Sequence, residues 1–274
     1  MNHTIYYEAS EKLEREWIAK NSVAHTFADG KGSITLKDSV SKIGAEAFME
    51  CDELQSVIIP DSVTEICGFA FYNCEALVTV VIPESVTKIG ECAFADNFSM
   101  RSIFIPHSVQ EIENCAFACR LLETIEVDNE NPVFDSRGNC NAIIETATGT
   151  LNTGCVNTVI PDSVTKIGDS AFGFCYELKA IDIPNSVTEI GDCAFFECSN
   201  LVSVVLPNSV KKIGNCVFAD CMNLTSVVIP ESVEEFGSLI FSQCPNLTSI
   251  VTPSGDENLE WEICNNLSKA HKNV

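Results

Sequence analysis

Residues 183–201 read I-P-N-S-V-T-E-I-G-D-C-A-F-F-E-C-S-N-L, and residues 59–77 read I-P-D-S-V-T-E-I-C-G-F-A-F-Y-N-C-E-A-L. The frame they share recurs along the chain. Pro60, Pro83 and Pro106 are spaced by 23 residues, as are Pro161, Pro184, Pro207, Pro230 and Pro253, and Lys37 stands one period ahead of Pro60. Counting the opening residue as position 0, position 2 is serine, position 3 valine and position 11 phenylalanine in all eight copies. Half of the chain's 16 Phe occupy that last position, from Phe48 to Phe241. A 23-residue unit cannot bury its own apolar side, so the copies must stack and share one core.

Leu201, Val204 and Leu206 before Pro207 give the L-x-x-V-x-L-P opening of a leucine-rich repeat. Residues 203–206 are predicted to form a short strand, in parallel with its equivalents one period away. Proline then ends it, because it has no N–H for a ladder. Gly191-Asp192 followed by Cys193-Ala194-Phe195-Phe196 reads as a turn, an N-cap and one helical turn. Position 5 alternates in charge: Lys42, Glu65, Lys88, Glu111, then Lys166, Glu189, Lys212, Glu235. Rungs about 4.8 Å apart would repel if that residue were constant, so alternation implies ion pairs running along the stack.

These units resemble the BspA-like leucine-rich repeats found on bacterial surfaces and in some parasitic protists. The resemblance covers residues 33–252, and the segment 139–155 is similar to an insert common in such proteins from gut Bacteroidales. It implies a right-handed α/β leucine-rich repeat solenoid with its parallel sheet on one face. It also implies a non-catalytic bacterial adhesin or host-interaction module at the cell surface, whose partner is a host or matrix protein. No active-site residues are carried over, because the family shares no catalytic motif. An intracellular protein-binding scaffold is the alternative, since residues 1–33 show neither the basic start nor the apolar stretch of a secretory signal.

The organisation expected is an N-terminal cap at 1–32, repeats at 33–252 with an insert at 128–160, and a C-terminal cap helix at 253–274. Asp29-Gly30 between Val23–Phe27 and Ser33–Leu36 is a hairpin signal, and Ser10–Lys20 reads as helical. Within the insert, Ala142–Glu145 and Leu151–Cys155 flank the turn-rich 146–150, which suggests a second hairpin. Pro106 to Pro161 spans 55 residues, and fitting Cys119, Leu122, Ile125 and Val127 to the frame requires one deletion before Cys119.

Composition narrows function. The chain has 274 residues, 16 basic and 39 acidic, for a formal charge of −23. Such a chain offers no basic stripe for nucleic acid and no Lys/Arg cluster for anionic membranes. No apolar run is long enough to span a bilayer, and 46% apolar residues suffice for a core. Of the 15 Cys, seven fall at position 14 and four at position 9, so they read as reduced core thiols and not as a disulfide framework. No metal or cofactor site is expected, because neither Asp128-Asn129-Glu130 nor 135–139 matches an EF-hand loop. No residues are expected to be catalytic, since nothing in the sequence suggests a nucleophile, base and orienting acid converging on one cleft.

Binding residues are sought on the outward side of the strands. Position 21 points away from the core and reads Ile58, Val81, Phe104, Glu126, Asp182, Val205, Val228 and Val251. Position 19 beside it is mostly Ser or Thr. Phe104, with Arg101 and Glu126, is the cluster most like a hot spot. The expected molecule is a monomer that presents this stripe to a protein ligand.

Overall fold

A computed structural model describes residues 3–251, which fall into two compact units, one up to Asp135 and the other from Ser136. The expected C-terminal cap helix at 253–274 lies outside the described residues.

The first unit opens with β1 (Thr4–Ala9), α1 (Glu16–Asn21), β2 (Ser22–Ala28) and β3 (Lys31–Leu36). β2 and β3 form an antiparallel hairpin whose turn, Asp29 at φ 51° and Gly30 at φ 78°, is left-handed at both residues. Aspartate and glycine tolerate that geometry, and it matches the twist of the flanking strands. The helix is shorter than Ser10–Lys20. It delivers Trp17, whose ring lies 5.7 Å from Phe48 and covers the first rung. β1 pairs antiparallel with β3 on one side and with β5 (Leu54–Ile58) on the other. The first repeat strand is therefore paired on the side where an open edge would template aggregation.

Rungs contribute to two ladders, one at position 5 and one along the outer strands. In the first unit, β4 (Lys42–Ile43), β6 (Glu65–Ile66), β8 (Lys88–Ile89) and β10 (Glu111–Ile112) form a parallel sheet, which carries position 5. β5 pairs in parallel with β7 (Thr79–Val81), and β9 (Ser102–Ile105) pairs in parallel with β11 (Thr124–Val127). The two-residue β12 (Phe134–Asp135) ends the unit. In the second unit, β13 (Ala142–Glu145) and β14 (Thr150–Gly154) make an antiparallel hairpin closed through Gly149 at φ 69°. β14 then enters the position-5 ladder with β15 (Lys166–Ile167), β16 (Glu189–Ile190), β18 (Lys212–Ile213) and β20 (Glu235–Phe236). The outer ladder of this unit is β17 (Ser203–Val205), β19 (Ser226–Val228) and β21 (Ser249–Val251). The second strand of the hairpin thus does the work of a rung.

The alternating charges pair as expected. Lys88 Nζ lies 2.8 Å from Glu111, Lys166 Nζ 2.9 Å from Glu189, and Lys212 bridges Glu189 at 3.7 Å and Glu235 at 3.8 Å. Lys42 pairs with Glu65 in the same way. The lysines hold the Glu189 carboxyl below its ordinary range, Lys166 most strongly.

The helical turn expected at 193–196 does not form. Cys193 (φ 55°) and Glu197 (φ 56°) are left-handed, and positions 9 and 13 repeat this at Phe69 and Asn73, Ser170 and Phe174, and Cys216 and Asp220. The N–H groups of Cys193, Phe195 and Glu197 donate to Asn215, Val217 and Ala219 of the next rung at 2.8–2.9 Å. A helix would turn those donors back along its own axis. Here each left-handed residue costs about 1–2 kcal/mol, offset by inter-rung hydrogen bonds and by the core that the turn encloses.

Phenylalanines fill that core as two stacks. Phe48, Phe71, Phe94 and Phe117 lie 4.9–5.5 Å apart by ring centroid within 3° of parallel, and Phe172, Phe195, Phe218 and Phe241 lie 5.1–5.7 Å apart. Gly154 closes the near end of the second stack. A Cβ there would sit 2.2 Å from the Phe172 ring.

Position 14 is more specific than a small hydrophobe. The thiols of Cys74, Cys198, Cys221 and Cys244 donate to the carbonyls of Phe48, Phe172, Phe195 and Phe218, each one rung back, at 3.0–3.2 Å. None of the 14 described cysteines is in a disulfide. Asn97 replaces the thiol in one rung. Its Nδ2 donates to Phe71 O and Phe94 O at 3.0 and 2.7 Å, and its Oδ1 accepts from Cys74 N–H at 2.8 Å. Because Asn97 is fully buried, Asn97→Leu strands three polar groups and is expected to cost about 2–3 kcal/mol. Asn97→Cys, which restores the thiol of the other rungs, should cost about 1 kcal/mol. Urea denaturation of the two variants checks this; equal losses would mean that volume, not hydrogen bonding, decides the position.

Candidate binding face

Along each outer strand the side chains alternate. Val57 and Ile103 are buried, while Ile58, Val81 and Phe104 are 46–47% exposed. Strand pairing aligns the exposed ones. Ile58 is opposite Val81 across β5–β7, and Phe104 is opposite Glu126 across β9–β11. The first unit thus presents Ile58, Val81, Phe104 and Glu126 outward, with Ser56, Thr79, Ser102 and Thr124 alongside.

One residue of this face escaped the sequence reading. Tyr6 of β1 is opposite Ile58 across the antiparallel pairing and is 50% exposed. It adds a second aromatic ring, so that the apolar stripe runs from Tyr6 to Phe104. The signal was present in the alternation Ile5 in, Tyr6 out, Tyr7 in. The partner strand of β1 could not be inferred from it. Tyr7, on the inner side, has its hydroxyl 2.8 Å from His25 Nε2, and burial raises the Tyr7 pKa and lowers that of His25.

Arg101 is exposed at the margin of the stripe. Its guanidinium pairs with Glu123, while its carbonyl receives Glu123 N–H at 2.8 Å and Thr124 N–H at 3.0 Å. The next rung therefore holds both the side chain and the backbone of Arg101.

In the second unit Asp182, Val205 and Val228 also face outward, Val205 at 63% exposure. Residues 180–183 keep the in-and-out alternation but form no strand: Ala180 and Asp182 are exposed and Ile183 is buried. They line a shallow cleft of about 270 Å³ together with Thr158, Val159 and Ile160. Val159, 72% exposed, is the second residue missed. Val159-Ile160-Pro161 repeats Val81-Ile82-Pro83, but the segment was assigned to the insert. Thr158 fixes its orientation by accepting Cys155 N–H at 2.7 Å and donating to Asn141 O at 2.6 Å, which leaves Val159 pointing out.

Among the described residues no helix is long and apolar enough to cross a membrane. No curated protein matches the chain. Several solved structures are similar to it, among them the following two. A leucine-rich cell surface protein from Faecalibacterium prausnitzii A2-165 is 28% identical with a TM-score of 0.59, covering 79% of this chain and 64% of that one. The chain thus spans less than two thirds of that protein's length. The pneumococcal vaccine antigen PcpA is 17% identical with a TM-score of 0.61, covering 83% of this chain and 70% of that one, and shows the fold alone. The profile of the BspA type leucine-rich repeat region matches in six copies over residues 25–142 and 151–270. With its stacked rungs and outward-facing strands, the chain belongs to the BspA-type leucine-rich repeat family.

Proposed function

We propose that this protein is a non-catalytic recognition module of the cell surface, a BspA-like adhesin that acts as a monomer and binds a host or matrix protein. The observation that carries this reading is the apolar stripe of the first unit, Tyr6, Ile58, Val81 and Phe104, each about half exposed, the first three paired across adjoining strands. Aromatic anchors with an oriented arginine at the rim are the composition of binding hot spots. The capping strand β1 supports the monomer by pairing the first repeat edge.

Phe104→Ala combined with Val81→Ser is expected to weaken capture of the chain by immobilised extracellular-matrix proteins or host-cell surfaces about tenfold or more. The melting temperature should stay unchanged, because both side chains already face water. Capture at the parental level would remove the stripe as the binding face. A second reading, an intracellular scaffold, is favoured by the 14 described cysteines, none of them in a disulfide, which suits a reducing compartment. Protease treatment of intact native cells separates the two. Loss of the chain while a cytosolic marker survives is expected for the adhesin, and protection until lysis would end that reading.

A further inference from the structure

The residue after the opening position is a carboxylate or an amide in every repeat but one. It is Asp38, Asp61, Glu84, Asp162, Asn185, Asn208 and Glu231, and in the fourth copy it is His107. The rung that follows His107 is one residue shorter, which puts Asp128 where the others carry proline. The imidazole is therefore flanked by a carboxylate from the rung before and a carboxylate from the rung after. Glu84, His107 and Asp128 have donor atoms within 4.8 Å of one another. His107 Nδ1 already lies 2.7 Å from Glu84 Oε2.

The backbone beneath this cluster is braced. Buried Asn131 donates through Nδ2 to Pro106 O at 2.9 Å and Val109 O at 3.0 Å, bracketing His107 on both sides. Its own N–H donates to Asp128 O at 2.9 Å. Its Oδ1 accepts the N–H groups of Val133 and Phe134 at 2.9 and 2.8 Å. The turn that carries His107 is thus tied to the turn that carries Asp128 through a single buried amide. The Asp128 carboxylate is oriented in turn by Glu130 N–H at 2.8 Å, which occupies Oδ1 and leaves Oδ2 for a ligand.

We propose that Glu84, His107 and Asp128 bind a divalent transition-metal ion, zinc being the reference case, with water completing the coordination. One imidazole nitrogen and two carboxylate oxygens suit Zn²⁺, Co²⁺, Ni²⁺ or Mn²⁺, whereas calcium prefers an all-oxygen set of six to eight. Tetrahedral zinc with bonds of about 2.0–2.2 Å places its ligands roughly 3.3 Å apart. His107 Nδ1 and Glu84 Oε2, at 2.7 Å, are hydrogen-bonded and must part by about 0.6 Å to admit the ion, while exposed side chains can close the remaining distance to Asp128. A formal charge of −23 concentrates cations at the surface in general; the imidazole is what makes this place selective.

The test is a zinc titration of the full chain, chelator-stripped and kept reduced, read by the imidazole resonances of its histidines in NMR and by calorimetry. The expected result is one equivalent bound with a dissociation constant of about 1–100 μM, the His107 ring signals moving first. His107→Asn should weaken binding about tenfold or more, and Asp128→Asn or Glu84→Gln about threefold or more. Asparagine already stands at this position in two other repeats, Asn185 and Asn208, so the His107 variant is expected to melt like the parent. Cobalt as a second probe should bind without the near-ultraviolet band of cobalt–thiolate bonds. Several outcomes would each overturn the site: His107 signals unmoved up to about 1 mM zinc, unchanged affinity in His107→Asn, or indifference to both carboxylate variants, which would leave a lone surface imidazole. A thiolate band without a His107 response would place the metal on the cysteines instead and reject the proposal equally.

Discussion

Phe195→Ala is expected to destabilise the second unit by about 3–5 kcal/mol, measured by urea denaturation under reducing conditions. Phe195 is wholly buried between Phe172 at 5.1 Å and Phe218 at 5.3 Å, both within 11° of parallel. Truncation removes the transfer energy of the ring and leaves a cavity. The neighbouring rings cannot close it, because the ladder hydrogen bonds from Phe195 N–H to Val217 O at 2.9 Å and from Phe172 N–H to Ala194 O at 2.8 Å hold the rungs apart. Phe241 touches one described ring of the stack, at 5.7 Å, so Phe241→Ala should cost less, about 2–3 kcal/mol. In a solenoid an interior defect also uncouples the repeats on either side, so the transition of Phe195→Ala should broaden. A loss below about 1 kcal/mol would mean that the rings do not form the packed column described here.

The second large effect is alkaline. Burial, the first cause in each case, raises the thiol of Cys198 well above the usual range, raises that of Cys221 as well, and brings that of Cys244 to about 11. Below about pH 8.5 the folded and unfolded chains both keep these protons, and the stabilisation is complete. Above it the unfolded chain ionises while the folded one does not, so stability falls as pH rises towards the folded values. Each such thiol contributes a slope of about 1.4 kcal/mol per pH unit, and the three together on the order of 4 kcal/mol per pH unit. The urea midpoint of the second unit should therefore drop steeply between about pH 8.5 and pH 10. Cys198→Ala should reduce the slope by about a third, whatever it does to stability at pH 7. A midpoint that stays flat across this range would show that the thiols ionise in place.

Much of this architecture was legible beforehand because it repeats. Position 11 read as core from eight identical phenylalanines, and all eight are buried. Alternating Lys and Glu at position 5 required neighbours of opposite charge, and the ladder supplies them. Asp29-Gly30 announced a left-handed turn because few other residue pairs accept two positive φ angles. Exposure of Ile58, Val81, Phe104 and Val205 followed from strand alternation alone.

What the sequence by itself determined, then, is everything that depends on period and side-chain type: the rung, its inward and outward positions, and the match of each residue to the next copy. Tertiary structure decided whatever depends on where a backbone donor or a distant strand finds its partner. Cys193–Phe196 has the look of a helical turn, but its N–H groups have a better acceptor in the next rung, and that acceptor exists only once the rungs are stacked. Tyr6 joins the outward apolar stripe because β1 is opposite β5, a pairing between segments about 50 residues apart that local alternation does not encode. Glu84, His107 and Asp128 converge because one deletion and one buried asparagine bring three turns together. Each of these contacts is between residues remote in the chain, and only the stacked backbone sets the distance between them.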